Sequence, residues 1–324
     1  MNTIPSTFNE RQINTSILGG KGSMPEISGR TPLKISVILL NSKWSPYRAQ
    51  TIENLVNCGF SSIVSIETSP QNYNLFDLSN RFPYVKFVFP LEQTSVGDLI
   101  NIGMSEVSPA NEYVLVLRDN IRITSDLLNA NLAAKLVEKS PFCVTPRLLT
   151  KENNSFPILF SPFVKKSVLS VTASSAVSDR MPNLYPFDFV GLYNRDKFIR
   201  LGGFDYTITA SYWQNLDLAF RAWLWGERIN FSTTFSLSYN SDIDVEDMSA
   251  NQSSNRFYLK NLVPRFSADH AMIPISAFFV YFPRSACGFL EAARQFKDAR
   301  NWVKKNKYCF RRDALELVEN WGKR

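Results

Sequence analysis

The clearest signal in the chain is the alternation of short, almost wholly apolar runs with stretches of helical spacing. Residues 33–40 (Leu-Lys-Ile-Ser-Val-Ile-Leu-Leu) form a nearly continuous apolar run, the pattern of a strand covered on both faces in a parallel sheet. Over 47–58, Ile52, Leu55 and Val56 fall at helical spacing, and Gly59 follows as a stop. Two further β-rich runs, 62–66 and 85–89, precede a predicted helix at 96–107 and a buried strand at 113–117. Another helix is predicted at 125–139, with Ser125 as its cap. Strands alternating with helices predict an open α/β sheet with right-handed crossovers.

The second half begins with a stretch, 145–188, that is rich in Ser, Pro and Phe and has no clear period. Beyond it come Gly191-Leu192-Tyr193, a short helix at 195–201 and the turn Gly202-Gly203-Phe204-Asp205. A strongly periodic helix at 213–225 is ended by Gly226, and 229–239 alternates as a strand. After about residue 255 the pattern is helical and amphipathic. The first thirty residues, rich in Asn, Ser, Thr and Gly, read as a flexible lead-in. The expected organisation is thus a lead-in over 1–30, a domain over 31–250 and a basic helical extension over 251–324. The domain is expected to be α/β, built on a single mixed, mostly parallel sheet flanked by helices.

Composition narrows the class. At 324 residues, with 44% hydrophobic and 20% charged residues, the chain can build a real core, which excludes wholesale disorder. No run of about 18 uncharged apolar residues occurs, so no transmembrane helix is predicted. The first thirty residues hold no sustained apolar stretch, so no signal peptide is expected either. Cys58, Cys143, Cys287 and Cys309 form no CxxC pair and suit reduced thiols in a cytoplasmic protein. The single histidine, His270, leaves little room for a Ser-His-Asp triad or a multi-histidine metal cage.

The net charge of +7 is concentrated at one end, since residues 284–324 hold 11 Lys and Arg against 5 Asp and Glu. Phe289, Leu290, Phe296, Trp302, Val303, Tyr308 and Phe310 lie among these basic residues. That mixture fits helices on an anionic membrane surface, which would make the protein peripheral on the inner membrane face. The alternative is a basic face held on the domain by the same aromatics. Nucleic-acid binding is not expected, because the basic residues form no known reader.

Several blocks then carry chemistry: residues 34–41 (Lys-Ile-Ser-Val-Ile-Leu-Leu-Asn), Asn101-Ile102-Gly103, residues 112–121, and the run from Gly191 through Leu201-Gly-Gly-Phe-Asp205 to Trp213-Gln-Asn-Leu-Asp-Leu-Ala-Phe-Arg221. In this order and spacing they resemble the family 2 group of inverting nucleotide-sugar glycosyltransferases, which have the A-type fold. The resemblance covers roughly residues 34–245. It implies transfer of a sugar from a nucleotide-diphosphate donor to a glycan, lipid or protein acceptor. By the same resemblance, Asn41, Glu67, Asn101, Arg118, Asp119 and Gly203 would line the donor site, with Glu67 against the nucleobase.

Such transfer has two physical demands. The leaving diphosphate gathers negative charge, normally met by a divalent cation on an Asp-x-Asp, and the acceptor hydroxyl must lose a proton to a carboxylate base. Here the Asp-x-Asp aligns with Arg118-Asp119-Asn120, so Asp119 alone is left to hold Mg2+ or Mn2+. The family's Glu-Asp pair aligns with Gln214-Asn215, and an amide at Asn215 cannot accept a proton. The family's late metal-binding His falls near Tyr239-Asn240. Either the chemistry is rescued, with Arg118 supplying fixed charge in place of metal and Asp217 or Asp205 acting as base, or the cleft binds without catalysing. A nucleotidyltransferase of related topology is disfavoured, because residues 41–46 (Asn-Ser-Lys-Trp-Ser-Pro) lack a glycine-rich phosphate loop. Each residue also has a plainer role: Asp119 in a turn, Asp217 pairing Arg221 four residues on, Gly202-Gly203 as a turn requirement, and Trp213, Trp223 and Trp225 as core.

Overall fold

The computed structural model describes residues 12–41, 47–68, 75–165, 168–176, 178–243 and 245–323. The first eleven residues of the expected lead-in, and residues 42–46 of the loop after the first predicted strand, lie outside the described residues.

The N-terminal half alternates as its apolar runs predict: β1 (Thr15–Gly19), β2 (Leu33–Asn41), α1 (Arg48–Asn57), β3 (Phe60–Glu67), α2 (Leu75–Arg81), β4 (Lys86–Pro90), α3 (Val96–Glu106) and β5 (Tyr113–Arg118). Then follow β6 (Ile121–Arg122), α4 (Ala130–Val137), β7 (Cys143–Leu149), the hairpin of β8 (Leu159–Lys165) and β9 (Val168–Ser174), and β10 (Met181–Pro182). After these come β11 (Gly191–Asn194), α5 (Arg195–Arg200), α6 (Ser211–Leu224) and β12 (Ile229–Tyr239).

One sheet has the order β1-β4-β3-β2-β5-β11-β7-β12-β10, and β6 pairs β12 off this path. The pairs β2–β3, β2–β5, β3–β4 and β7–β12 are parallel, while β1 and β11 run antiparallel to their neighbours. The sheet is therefore mixed around a parallel centre, and Val37, Ile38, Leu39, Val114, Leu115, Val116 and Leu117 are fully buried there.

Three expectations change. The lead-in is not wholly loose, because β1 adds an edge strand with Thr15 opposite Pro90 and Gly19 opposite Lys86. The helix expected from Ser125 begins at Ala130 instead, where the Asn129 side chain accepts from Leu132 N at 2.9 Å and caps it. The unpatterned stretch 145–188 contains most of β7, the β8–β9 hairpin and β10.

The extension is built from α7 (Gln252–Phe257), a π-helical turn (Tyr258–Leu262), a hairpin of β13 (Arg265–Ser267) and β14 (His270–Met272), α8 (Ala277–Tyr281), α9 (Phe289–Asn306) and α10 (Ala314–Glu319). It shares the domain's core. Phe296, Trp302, Val303 and Phe310 are buried, and Trp302 stacks on Trp225 at 6.2 Å. Those aromatics are therefore spent on packing and cannot face a membrane, whereas Phe289, Leu290 and Tyr308 remain exposed. Among the described residues no helix is long and apolar enough to cross a membrane.

Candidate functional site

The parallel centre brings three strand ends together. Asn41 stands opposite Glu67, and Leu40 opposite Arg118, so their side chains share the carboxyl edge where open α/β sheets bind ligands. Asn41 Nδ2 donates to Ser65 Oγ at 2.8 Å and to Glu67 Oε1 at 3.3 Å, while Ser65 Oγ donates to the same carboxylate at 2.8 Å. Arg48, at the start of α1, is salt-bridged to Glu67, and both are buried. Burial lowers the Arg48 pKa to about 10, with Asp119 opposing the shift. Asp119 itself is placed by its backbone N–H, which donates to Leu40 O at 3.0 Å. Asn41 and Glu67 thus form a closed hub that fixes Arg48 beside Asp119, a role the sequence did not assign to Arg48.

Arg118 ends β5 with its Nη1 3.7 Å from Asp188 Oδ1. Its Nε is buried without a hydrogen-bond partner among the described residues, and so is Asn120 Oδ1. Asp188 is a second residue the sequence did not single out. It and Phe189 both have left-handed backbones, with φ of 52° and 63°, conformations that cost a non-glycine residue on the order of 1–3 kcal/mol. The strain is held in place: Asn215 Nδ2 donates to Pro186 O at 2.6 Å and Tyr193 OH to Phe189 O at 3.0 Å. Tyr239 OH donates to Asp188 Oδ2 at 3.3 Å.

Beside this loop lies Glu246, half-buried, which accepts from Tyr185 OH at 2.7 Å. Burial pushes its pKa up to about 7; the Tyr185 hydrogen bond opposes this and the Asp188 charge adds to it. No motif marked Glu246, because it sits in an irregular segment after β12.

The acceptor-side block is placed differently from its expected roles. Asp205 and Asp217 are both fully buried, and Lys260 Nζ lies 2.8 Å from each. Arg221 Nη2 is 3.3 Å from Asp217 and donates to Gly203 O at 2.7 Å. Asn261 Nδ2 donates to Asp217 Oδ1 at 2.7 Å, and Thr207 N and Oγ1 donate to Asp205 Oδ1 at 2.9 and 2.7 Å. Burial opposes ionisation of Asp205, but Lys260 and Arg256 outweigh it and hold the carboxyl well below its usual range. Burial likewise lowers Lys260, with Asp205 and Asp217 opposing. Enclosed and ion-paired, neither carboxylate is open to take a proton from an outside hydroxyl, so the expectation that one of them is the base does not fit their placement.

The remaining predicted residues brace this cluster. Asn101 Nδ2 donates to Phe204 O and its Oδ1 accepts from Phe204 N, both at 2.9 Å. Gly203 has φ of +67°, and a Cβ there would stand 2.5 Å from Asn101 Oδ1, so the turn demands glycine. Gln214 Oε1 accepts from Gly97 N at 2.8 Å, close enough that a Cβ on Gly97 would meet Gln214 Cδ at 2.5 Å. Asn101, Gly203 and Asn215 therefore shape the site from beneath.

Among the described residues, no group of three or more His, Cys, Asp or Glu side chains is placed to hold a metal ion. Asp119 interacts electrostatically with Arg48 and follows Arg118 in the chain, and guanidinium charge of this kind favours an anion. The described residues here do not bring together the several oxygen ligands that a divalent cation takes.

A mixed sheet of this order, flanked by helices and ending in a polar edge at β2, β3 and β5, is the A-type fold of nucleotide-sugar transferases. No protein-family model and no curated protein matches the sequence. Among solved structures the chain is similar to GalNAc-T7 with UDP, GalNAc and Mn2+, at a TM-score of 0.57 and 10% identity, over 92% of this chain and 59% of that one. It therefore spans less than two thirds of that chain's length. Looser likenesses are to the mannosyltransferase PcManGT from Pyrobaculum calidifontis in complex with GDP-Man and Mn2+ (TM-score 0.44, 9% identity, 92% and 79% covered), and to 4-diphosphocytidyl-2C-methyl-D-erythritolsynthase from Anaerococcus prevotii (0.39, 11%, 66% and 91%). At this identity the likeness is one of fold and does not single out family 2.

Proposed function

We propose that this chain is a nucleotide-sugar glycosyltransferase in which guanidinium groups, not a metal ion, receive the leaving diphosphate. The observation that carries this reading is Arg118: at the ligand-binding edge of the A-type sheet, it keeps a buried Nε without a hydrogen-bond partner among the described residues. Guanidinium is suited to diphosphate oxygens, and its fixed charge stabilises a leaving group as negative charge develops. Arg48, braced by Glu67 and Asn41, adds a second positive charge nearby.

Glu246 takes the role left open by Asn215. A carboxylate with a pKa near 7 is half deprotonated near neutral pH, so it can accept a proton and still drive the transfer. As the acceptor hydroxyl oxygen bonds to the anomeric carbon, the bond from that carbon to the diphosphate breaks. The nucleoside diphosphate leaves with the electron pair, and the hydroxyl proton passes to Glu246. In this reading Asp205 and Asp217 are architectural, and Asn215 acts on the loop that presents Asp188.

The test is turnover on a panel of UDP- and GDP-sugars with and without a chelator. Transfer or hydrolysis that survives chelation and is lost in Arg118→Ala is the expected result. A second reading, a non-catalytic binding protein on the same fold, is favoured by the motif carboxylates being consumed in the Lys260 cluster. Thermal stabilisation by UDP without turnover would select it.

A further inference from the structure

The extension carries an apolar patch that the core does not cover. Phe279 and Val280 of α8 are 75% and 53% exposed, and Phe289 and Leu290 at the start of α9 are 60% and 84% exposed. The patch is continuous: the Phe278 ring lies 6.0 Å from Phe279 and 5.7 Å from Phe289, and Phe282 lies 5.6 Å from Phe289. Clusters of this size are uncommon on a monomer without a partner.

The charges beside the patch decide the partner. Ala292, Phe296, Ala299 and Val303 of α9 face the core. At about 100° per residue, Leu290, Arg294, Lys297 and Lys304 fall within roughly 40° of one line on the opposite side, and all four are exposed. One outer face thus passes from an apolar tip into a basic stripe, with Arg284 exposed in the connecting turn. A bilayer of anionic lipid matches both halves: its acyl boundary accepts aromatic and aliphatic side chains, and its phosphates accept the lysines and arginines. We infer that the outer face of α8 and α9 docks on an anionic membrane surface, with Phe279, Val280, Phe289 and Leu290 inserted and Arg294, Lys297 and Lys304 on the headgroups. This arrangement differs from that of a free amphipathic helix, because the apolar face of α9 stays in the protein core.

The experiment is co-sedimentation of the full chain with vesicles of phosphatidylcholine alone or with phosphatidylglycerol added. Binding is expected only to the anionic vesicles and should fall in about 0.5 M salt. Phe279→Ser with Leu290→Ser should weaken partition at least tenfold. Arg294→Glu with Lys297→Glu should weaken it by roughly fivefold or more for each charge removed. All four positions are exposed, and unchanged melting temperatures would confirm intact folds. Absence of binding to anionic vesicles overturns the inference. So does undiminished binding in the Phe279 and Leu290 variant, which would mark a plain polyanion binder. A concentration-dependent dimer that this variant abolishes, without vesicle binding, would assign the patch to a second copy. Because the readout is partition and not turnover, it stands apart from the transferase reading.

Discussion

Among the described residues, two of the clusters that combine carboxylates with cationic side chains are put to opposite uses. In the interior, Lys260 joins Asp205 and Asp217, with Arg221, Asn261 and Thr207 filling their hydrogen-bonding positions. At the sheet edge, Asp188 on a strained loop lies 3.7 Å from Arg118 of β5 and acts electrostatically on Glu246, whose pKa is raised to about 7. Desolvation is costly for both, but in the interior cluster each carboxylate is enclosed with an opposite charge, which ties α6 and the π-helical turn to the Asp205 turn. The edge cluster leaves capacity unspent. Charges that are not fully matched by the protein itself are the ones available to a ligand.

The contrast breaks most sharply at Lys260. Replacing Lys260 by Met should cost about 3–5 kcal/mol, because two enclosed carboxylates lose the cation they share and keep only Arg221 and Arg256; urea unfolding measures it. Adding Asp205→Asn alone, which leaves Asp217 paired with Arg221, should recover much of that loss, and no recovery would mean that the lysine works by packing alone.

On the other side, Glu246→Gln should lower kcat/KM by roughly 10²–10⁴-fold with little loss of stability. The wild-type profile should rise with pH through an inflection near 7, where the carboxylate deprotonates, and the variant should lose that inflection. Stability has the opposite sign. The folded protein binds this proton more tightly than the unfolded chain does, so stability falls as pH climbs from the ordinary carboxylate range toward 7. Glu246→Gln should remove that slope in melts taken across the range.

Arg118→Ala should reduce turnover by about 10²–10³-fold, the usual effect of losing one donor to developing charge, and should weaken stabilisation by UDP. Gly203→Ala, forced against Asn101 Oδ1 in a left-handed conformation, should cost about 1–3 kcal/mol and is read by melting temperature. The smallest effect concerns metal: the shift in melting temperature given by UDP should be the same with and without Mn2+. A marked enhancement by Mn2+ would return Asp119 to the role of ligand and sink the guanidinium account.

Much of the fold could be read from the chain because buried parallel strands are written as unbroken apolar runs. Residues 33–40 and 113–117 sit within one residue of β2 and β5. Strand β1 was invisible because an edge strand needs few apolar side chains, and its sequence, Thr-Ser-Ile-Leu-Gly, alternates with nothing. The resemblance grouped Asn101, Gly203 and Asn215 as site residues; in the structure Asn101 braces the turn at Gly203 and Phe204, and Asn215 holds the loop before Asp188. The resemblance implies that they share one site, whereas only coordinates show that Asn101 clamps Phe204 and Asn215 holds the Pro186 carbonyl. Arg48, Asp188 and Glu246 escaped notice because each acts through a neighbour remote in sequence, and Glu246 lies in no regular element.

What the sequence determined alone was the succession of strands and helices and the turn that needs Gly203, since periodicity and backbone sterics act within a few residues. Which carboxylates are enclosed and which remain at the edge was decided by tertiary structure. Lys260 reaches Asp205 across 55 residues and Asp217 across 43, and solvent exclusion depends on everything packed around them. A charge's role follows from its desolvation and its partners, and neither is a local property of the chain.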